Sequence, residues 1–169
     1  MINTIKNLLA VKSHDLTTDI GLLILRVGVF IPLFIKHGWE KIYLPSFWEM
    51  APTFPDPAHI GPVHSLIVAL ISDAICSILL VLGLGTRFAG AYIFVVLSTA
   101  WAFTHHFIFL GKGLEPKHGE LIFLYIVTSL SLALLGPGKF SLDWLLWSRN
   151  KGIPAATRPA VEANDVVAR

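Results

Sequence analysis

Eight side chains able to donate, accept or carry a proton interrupt otherwise apolar stretches: Arg26, His37, Glu40, Lys41, Asp73, His105, His106 and Glu120. An ionised group in hydrocarbon is costly, so each should face the protein interior and either meet a partner or be neutralised. Arg26 and Asp73 are the obvious pair. Asp73 sits in a run that also holds twelve Leu, Ile and Val residues. An aspartate at a helix centre costs roughly 3 kcal/mol and each aliphatic returns roughly 0.3–0.6 kcal/mol, so the run inserts despite it. Arg26 lies about two helical turns nearer the side that carries the termini, a gap that arginine reach and helix tilt can close. The pair reads either as a structural ion pair that fixes helix register or as part of a site. Asp73 also shares a face with Ala69, Cys76 and Ser77, the small and polar stripe typical of a helix–helix contact.

A second group gathers toward the opposite side. His37 follows Arg26 by eleven residues, which at about 100° per residue returns almost to the same helix face. Glu40 and Lys41 come next at i+3 and i+4. His105 and His106 stand at the matching depth of the third run, and Glu120 opens the fourth. The expectation is one polar layer made by His37, Glu40, one of His105 and His106, and Glu120, since adjacent histidines cannot both face inward. Such a layer could bind a head group, pass protons or hold a metal, because a neutral imidazole donates a hydrogen bond and titrates near neutrality. His37, His105 and Glu120 are the candidate metal ligands, although no HxxH or ExxH spacing accompanies them. The plainer reading is interfacial imidazoles bonded to headgroups and water, which suits His59, His64 and His118. Phe34, Trp101 and Phe109 are candidate aromatic walls.

The elements that must position these groups are four apolar runs, near 20–35, 65–84, 88–110 and 120–136. Hydrophobic residues make up 54% of the 169-residue chain and charged residues 14%, too little polarity to cover four such helices in water. About 20 helical residues cross the hydrocarbon core. Continuous apolar runs exclude the alternation of a barrel strand. The fold class expected is therefore all-α, a transmembrane four-helix bundle. Residues 1–18 form an N-terminal tail, 19–148 the membrane domain and 149–169 a disordered tail. The first run is short, but its helix can extend through 36–41. Residues 42–62 carry five of the ten prolines and should form an extended outer cap. The Gly136-Pro137-Gly138 sequence should end the fourth helix, with 140–147 an interfacial segment.

Charge placement gives orientation. With both termini and the 83–87 turn on one side, that side holds eight Lys and Arg and the other four, so the termini should be cytoplasmic. A net charge of +2 implies no nucleic-acid partner. The single cysteine, Cys76, excludes an internal disulfide, a CxxC pair and a thiolate metal cage. Gly83-Leu84-Gly85 lacks the third glycine of a dinucleotide loop and reads as a turn.

Taken in order, Arg26-Val27-Gly28, Phe34, His37-Gly38-Trp39-Glu40-Lys41, Gly83-Leu84-Gly85-Thr86-Arg87, Gly119-Glu120 and Gly136-Pro137-Gly138-Lys139-Phe140-Ser141-Leu142-Asp143 resemble the DoxX family over about residues 20–146. Asp73 stands where that family more often has Glu. The resemblance implies a bacterial or archaeal protein of the cytoplasmic (inner) membrane, with Arg26, His37, Lys41, Asp73 and Glu120 at the family's polar positions. It further implies a quinone-linked redox subunit or accessory subunit of an oxidoreductase complex. Quinone would be the bound cofactor, contacted by these residues together with Trp101, His105 and His106. His37, Glu40, Asp73 and Glu120 are the candidate proton carriers. No haem, flavin or iron–sulfur motif is present, so electrons would come from a partner chain or substrate. Expected partners are membrane lipids and either a partner subunit or further copies of the chain. The alternatives are a non-enzymatic anchor or assembly subunit and a small proton-coupled transporter, the latter disfavoured by the absence of an inverted repeat.

Overall fold

The computed structural model describes residues 15–104 and 119–150, and every regular element among them is helical. Helix α1 runs over Leu16–Ile42, about 40 Å at 1.5 Å per residue. The first apolar run thus does extend through 36–41. Pro32 supplies no backbone N–H within α1, and shortly beyond it the helix widens into a π-turn over Phe34–Gly38. Such a turn closes wider i→i+5 rings and absorbs an extra residue.

Residues 42–62 depart from the expected extended cap. Helix α2 forms over Leu44–Met50, with Pro45 in its first turn, and a 3-10 turn follows at Ala51–Thr53. Proline is tolerated at that position because the first N–H groups of a helix have no internal acceptor. Asp56 then closes the return. Its carboxylate accepts hydrogen bonds from the Ile60 N–H (3.1 Å), the Gly61 N–H (2.7 Å) and the Ser65 hydroxyl (2.7 Å).

Helix α3 spans Pro62–Leu82 and contains a second π-turn at Ile71–Cys76. It ends where Gly83 turns left-handed at φ 69°. The Gly83 N–H reaches the Leu80 carbonyl (3.1 Å) and the Leu84 N–H reaches that of Leu79 (2.8 Å), the paired bonds of a Schellman stop. Helices α4 (Thr86–Phe103), α5 (Gly119–Leu135) and α6 (Leu142–Asn150) follow. Among the described residues three helices, α1, α3 and α4, are long and apolar enough to cross a membrane, and α5 is a shorter apolar helix of 17 residues. The segment expected at 140–147 forms helix α6, which begins at Leu142 and runs on to Asn150. His14, His105, His106, Phe109 and His118 lie outside the described residues, as do residues 1–14 and 151–169 of the expected tails, whereas 16–18 already belong to α1 and 149–150 still belong to α6.

The exterior is apolar and several polar groups are buried, unlike a protein in water. Ile24, Ile35, Phe88, Val95 and Leu134 are exposed, whereas Asp19, Arg26, Lys41, Ser72, Asp73, Ser77, Thr86, Thr128 and Ser129 are buried. A large apolar exterior needs a lipid solvent. Leu22, Phe30, Leu33, Leu80, Ile93, Tyr125 and Leu132 fill the core. The α4 and α5 helices approach closely at Gly90, where a Cβ would stand 2.7 Å from the Ser129 carbonyl oxygen.

Candidate functional site

The two π-turns face each other across the α1/α3 crossing. Gly38 closes the first, and a Cβ there would lie 2.5 Å from the Asp73 carbonyl oxygen and 3.0 Å from Ala74 Cα. Glycine is therefore the residue that lets the two backbones touch. One turn beyond Gly38, Lys41 bends back toward α3. Its ammonium donates to Asp73 Oδ2 at 2.9 Å and to the His37 carbonyl, within the π-turn, at 2.9 Å. The pair is nearly sealed, with 10% of the Lys41 side chain and 9% of that of Asp73 exposed.

Burying two charges to gain one ion pair is seldom favourable on balance, since desolvation offsets most of the attraction. This pair is also incompletely satisfied. Asp73 Oδ1 is buried with no hydrogen-bond partner among the described residues, and so is the hydroxyl of the neighbouring Ser72. Native buried polar atoms usually find partners, so an orphan oxygen on a buried carboxylate calls for a reason. Tyr125 on α5 is buried and lies within reach of the Asp73 charge.

Arg26 is not the partner of Asp73. Its guanidinium Nη2 donates to the Phe140 carbonyl and its Nε to the Leu22 carbonyl at 3.3 Å. Nη1 is pressed against Gly83, where a Cβ would overlap it. Asp143, whose charge also acts on Arg26, accepts the Gly85 N–H (2.8 Å) and the Thr86 N–H (3.1 Å), capping α4 from α6. Nearby, Asp19 accepts the Lys139 N–H at 3.1 Å and pairs with the Lys139 ammonium at 3.6 Å. Arg26 therefore ties the 136–143 turn to the 83–86 turn, at the end of the bundle where α1 begins.

The expected polar layer is brought together only in part. His37 is half-buried and contributes its carbonyl to Lys41, while Glu40 and Glu120 are exposed and Trp101 is half-buried. Equal depth along a helix does not fix the direction in which a side chain points, and neither glutamate is buried with the pair. Trp101 packs against Phe123 with ring centroids 5.7 Å apart, and Phe34 meets Trp39 edge to face at 6.5 Å. Among the described residues no group of three or more His, Cys, Asp or Glu side chains converges as a metal site requires. His37 and Glu120 are thus not joined in a metal cluster among these residues, and His105 lies outside them. Spacing alone does not single out Lys41 as the partner of Asp73. The one signal for it is the long stem, which lets an ammonium return about one helical turn.

The sequence model of the DoxX family matches residues 21–106, which includes most of α1, all of α3 and α4, and both members of the buried pair. A Haemophilus influenzae relative, named only as an uncharacterized protein, is 32% identical over 137 residues, covering 80% of this chain and 89% of its own length. No solved structure matches the chain. The chain is thus a multi-pass membrane protein that belongs to the DoxX family.

Proposed function

We propose that the Lys41/Asp73 pair is the head-group site of a membrane quinone and that the chain is a quinone-linked subunit of a membrane oxidoreductase. The observation that carries this reading is the buried carboxylate oxygen, Asp73 Oδ1, left without a partner beside an ammonium. A quinone ring offers carbonyls that accept hydrogen bonds, and its reduced form offers hydroxyls that donate them. Two of the three Lys41 N–H groups are engaged, by Asp73 and by the His37 carbonyl. The third is available to a ring oxygen. The apolar exterior of the bundle would let an isoprenoid tail approach the site from lipid.

In this reading the termini are cytoplasmic, as the eight-to-four distribution of Lys and Arg favours, and the chain resides in a bacterial or archaeal inner membrane. Electrons would come from a partner subunit. The test is binding of a decyl-tailed benzoquinone to the purified protein in lipid nanodiscs. Lys41→Met and Asp73→Leu together should reduce affinity by at least about tenfold, the loss of one charged hydrogen bond. Unchanged affinity in that double variant overturns the proposal. The anchor reading draws on a separate observation, that Arg26 and the 83–87 and 136–143 motifs are engaged in joining turns. It predicts a co-purifying partner and no quinone binding.

A further inference from the structure

We infer that the site takes the hydroquinone form in preference to the quinone, an inference that rests on the head-group reading above. Unfilled valences set the preference. Asp73 Oδ2 already accepts from Lys41 at 2.9 Å, whereas Oδ1 accepts from nothing among the described residues. The Ser72 hydroxyl, next in the chain and also buried without a partner, does not fill it. What the site lacks is a hydrogen-bond donor aimed at a carboxylate oxygen. A quinone carbonyl has no hydrogen to give, and bringing its oxygen up to Oδ1 sets two acceptors against each other. A hydroquinone hydroxyl meets both demands at once. Its O–H donates to Oδ1, and its oxygen lone pair receives the remaining Lys41 N–H.

The backbone supports the same polarity. Lys41 is held by the His37 carbonyl as well as by Asp73, so its ammonium cannot swing fully toward a carbonyl ligand without freeing a buried acceptor. Gly38 keeps the two π-turns in contact, and with them the spacing between Nζ and the carboxylate. The ligand class is therefore a flat aromatic diol whose O–H points at Asp73.

The experiment uses the full chain in nanodiscs, without air, and three probes that share one decyl tail: the benzoquinone, its two-electron hydroquinone, and the hydroquinone dimethyl ether. A charged hydrogen bond to a buried acceptor predicts that the hydroquinone binds on the order of 10- to 100-fold more tightly than the other two. Asp73→Asn, whose amide can present a donor in place of an acceptor, should shrink that ratio toward one. Where Asp73→Asn fails to accumulate, the comparison between hydroquinone and dimethyl ether on the unaltered chain decides alone. Equal affinity for all three probes overturns the inference and leaves the head-group reading standing, and tighter binding of the quinone also overturns it. Failure of every probe to bind removes the head-group reading itself.

Discussion

Two buried charge clusters sit at different levels of the bundle, and they use the same side-chain types in opposite ways. At the end where α1 begins, Arg26, Asp19 and Asp143 hydrogen-bond to backbone groups, and the remaining Asp19 oxygen, without a hydrogen bond among the described residues, is covered by the Lys139 ammonium at 3.6 Å. Arg26 is fully buried, and its one unpartnered nitrogen faces Gly83, where not even a methyl group fits. At the α1/α3 crossing, Lys41 and Asp73 meet side chain to side chain, a tenth of each remains open, and a carboxylate oxygen is left over. The first cluster is a lock that joins two turns. The second is a site whose own chemistry is unfinished. Polar motif residues of this chain thus divide into scaffold and candidate chemistry, and their position along the sequence does not tell which is which.

The largest test of that division is to break the pair one side at a time. Lys41→Met or Asp73→Leu alone leaves an uncompensated buried charge and should destabilise by about 3–5 kcal/mol. The double variant removes both charges and should recover most of that loss while still failing to bind quinone. Thermal unfolding in detergent reads the first effect and nanodisc binding the second. Breaking the lock should do the reverse. Arg26→Leu removes charged hydrogen bonds to the Phe140 and Leu22 carbonyls, a loss of about 1.5–3 kcal/mol. Quinone affinity in the protein that survives should stay within about twofold, since no group of the pair is touched. If Arg26→Leu instead abolished binding with little loss of stability, lock and site would have to be exchanged.

A finer test concerns how the pair is held. Gly38→Ala places a Cβ against the Asp73 carbonyl, and overpacking of this kind costs about 1–3 kcal/mol. It should weaken ligand binding in proportion. Gly28→Ala on the same helix is the control, for nothing lies within 4 Å of a Cβ there. That variant should be neutral or stabilising by about 0.5–1 kcal/mol, the gain of alanine over glycine in a helix. Equal behaviour of the two variants would mean that the contact between the π-turns does not set the geometry.

The scaffold is more legible in the sequence than the site, for physical reasons. Apolar runs with glycine and proline stops locate the helices within a few residues, because membrane insertion depends on length and hydropathy. The partner of Asp73 stays hidden because face arguments assume a uniform turn of about 100° per residue. The π-turns at Phe34–Gly38 and Ile71–Cys76 break that regularity on both helices, just where Lys41 and Asp73 must be placed. Arg26 looks available from the sequence because nothing in the spacing reveals that residues 136–143 fold back onto the 83–86 turn. For Glu40 and Glu120 the sequence supplies a depth, and depth carries no information about which side of a helix faces inward.

The smallest expected effect lies outside the membrane, where an ordinary carboxylate provides a reference for the buried one. Asp56 accepts the Ser65 hydroxyl and two backbone N–H groups, and these bonds, Ser65 first, hold its pKa below the usual 3.8. The folded-state pKa is depressed, so the stabilisation is present in full above the unfolded value and fades as pH falls through the folded one. The loop return before α3 should therefore loosen only in acid, below about pH 4. Ser65→Ala removes the largest contribution and should raise the Asp56 pKa toward its ordinary value, read by the carboxyl carbon shift in an NMR titration. Unlike Asp73, Asp56 has both oxygens engaged by its own chain, so addition of hydroquinone should leave its titration unchanged. A ligand-dependent shift at Asp56 would show that the head group binds under the loop rather than at the α1/α3 crossing.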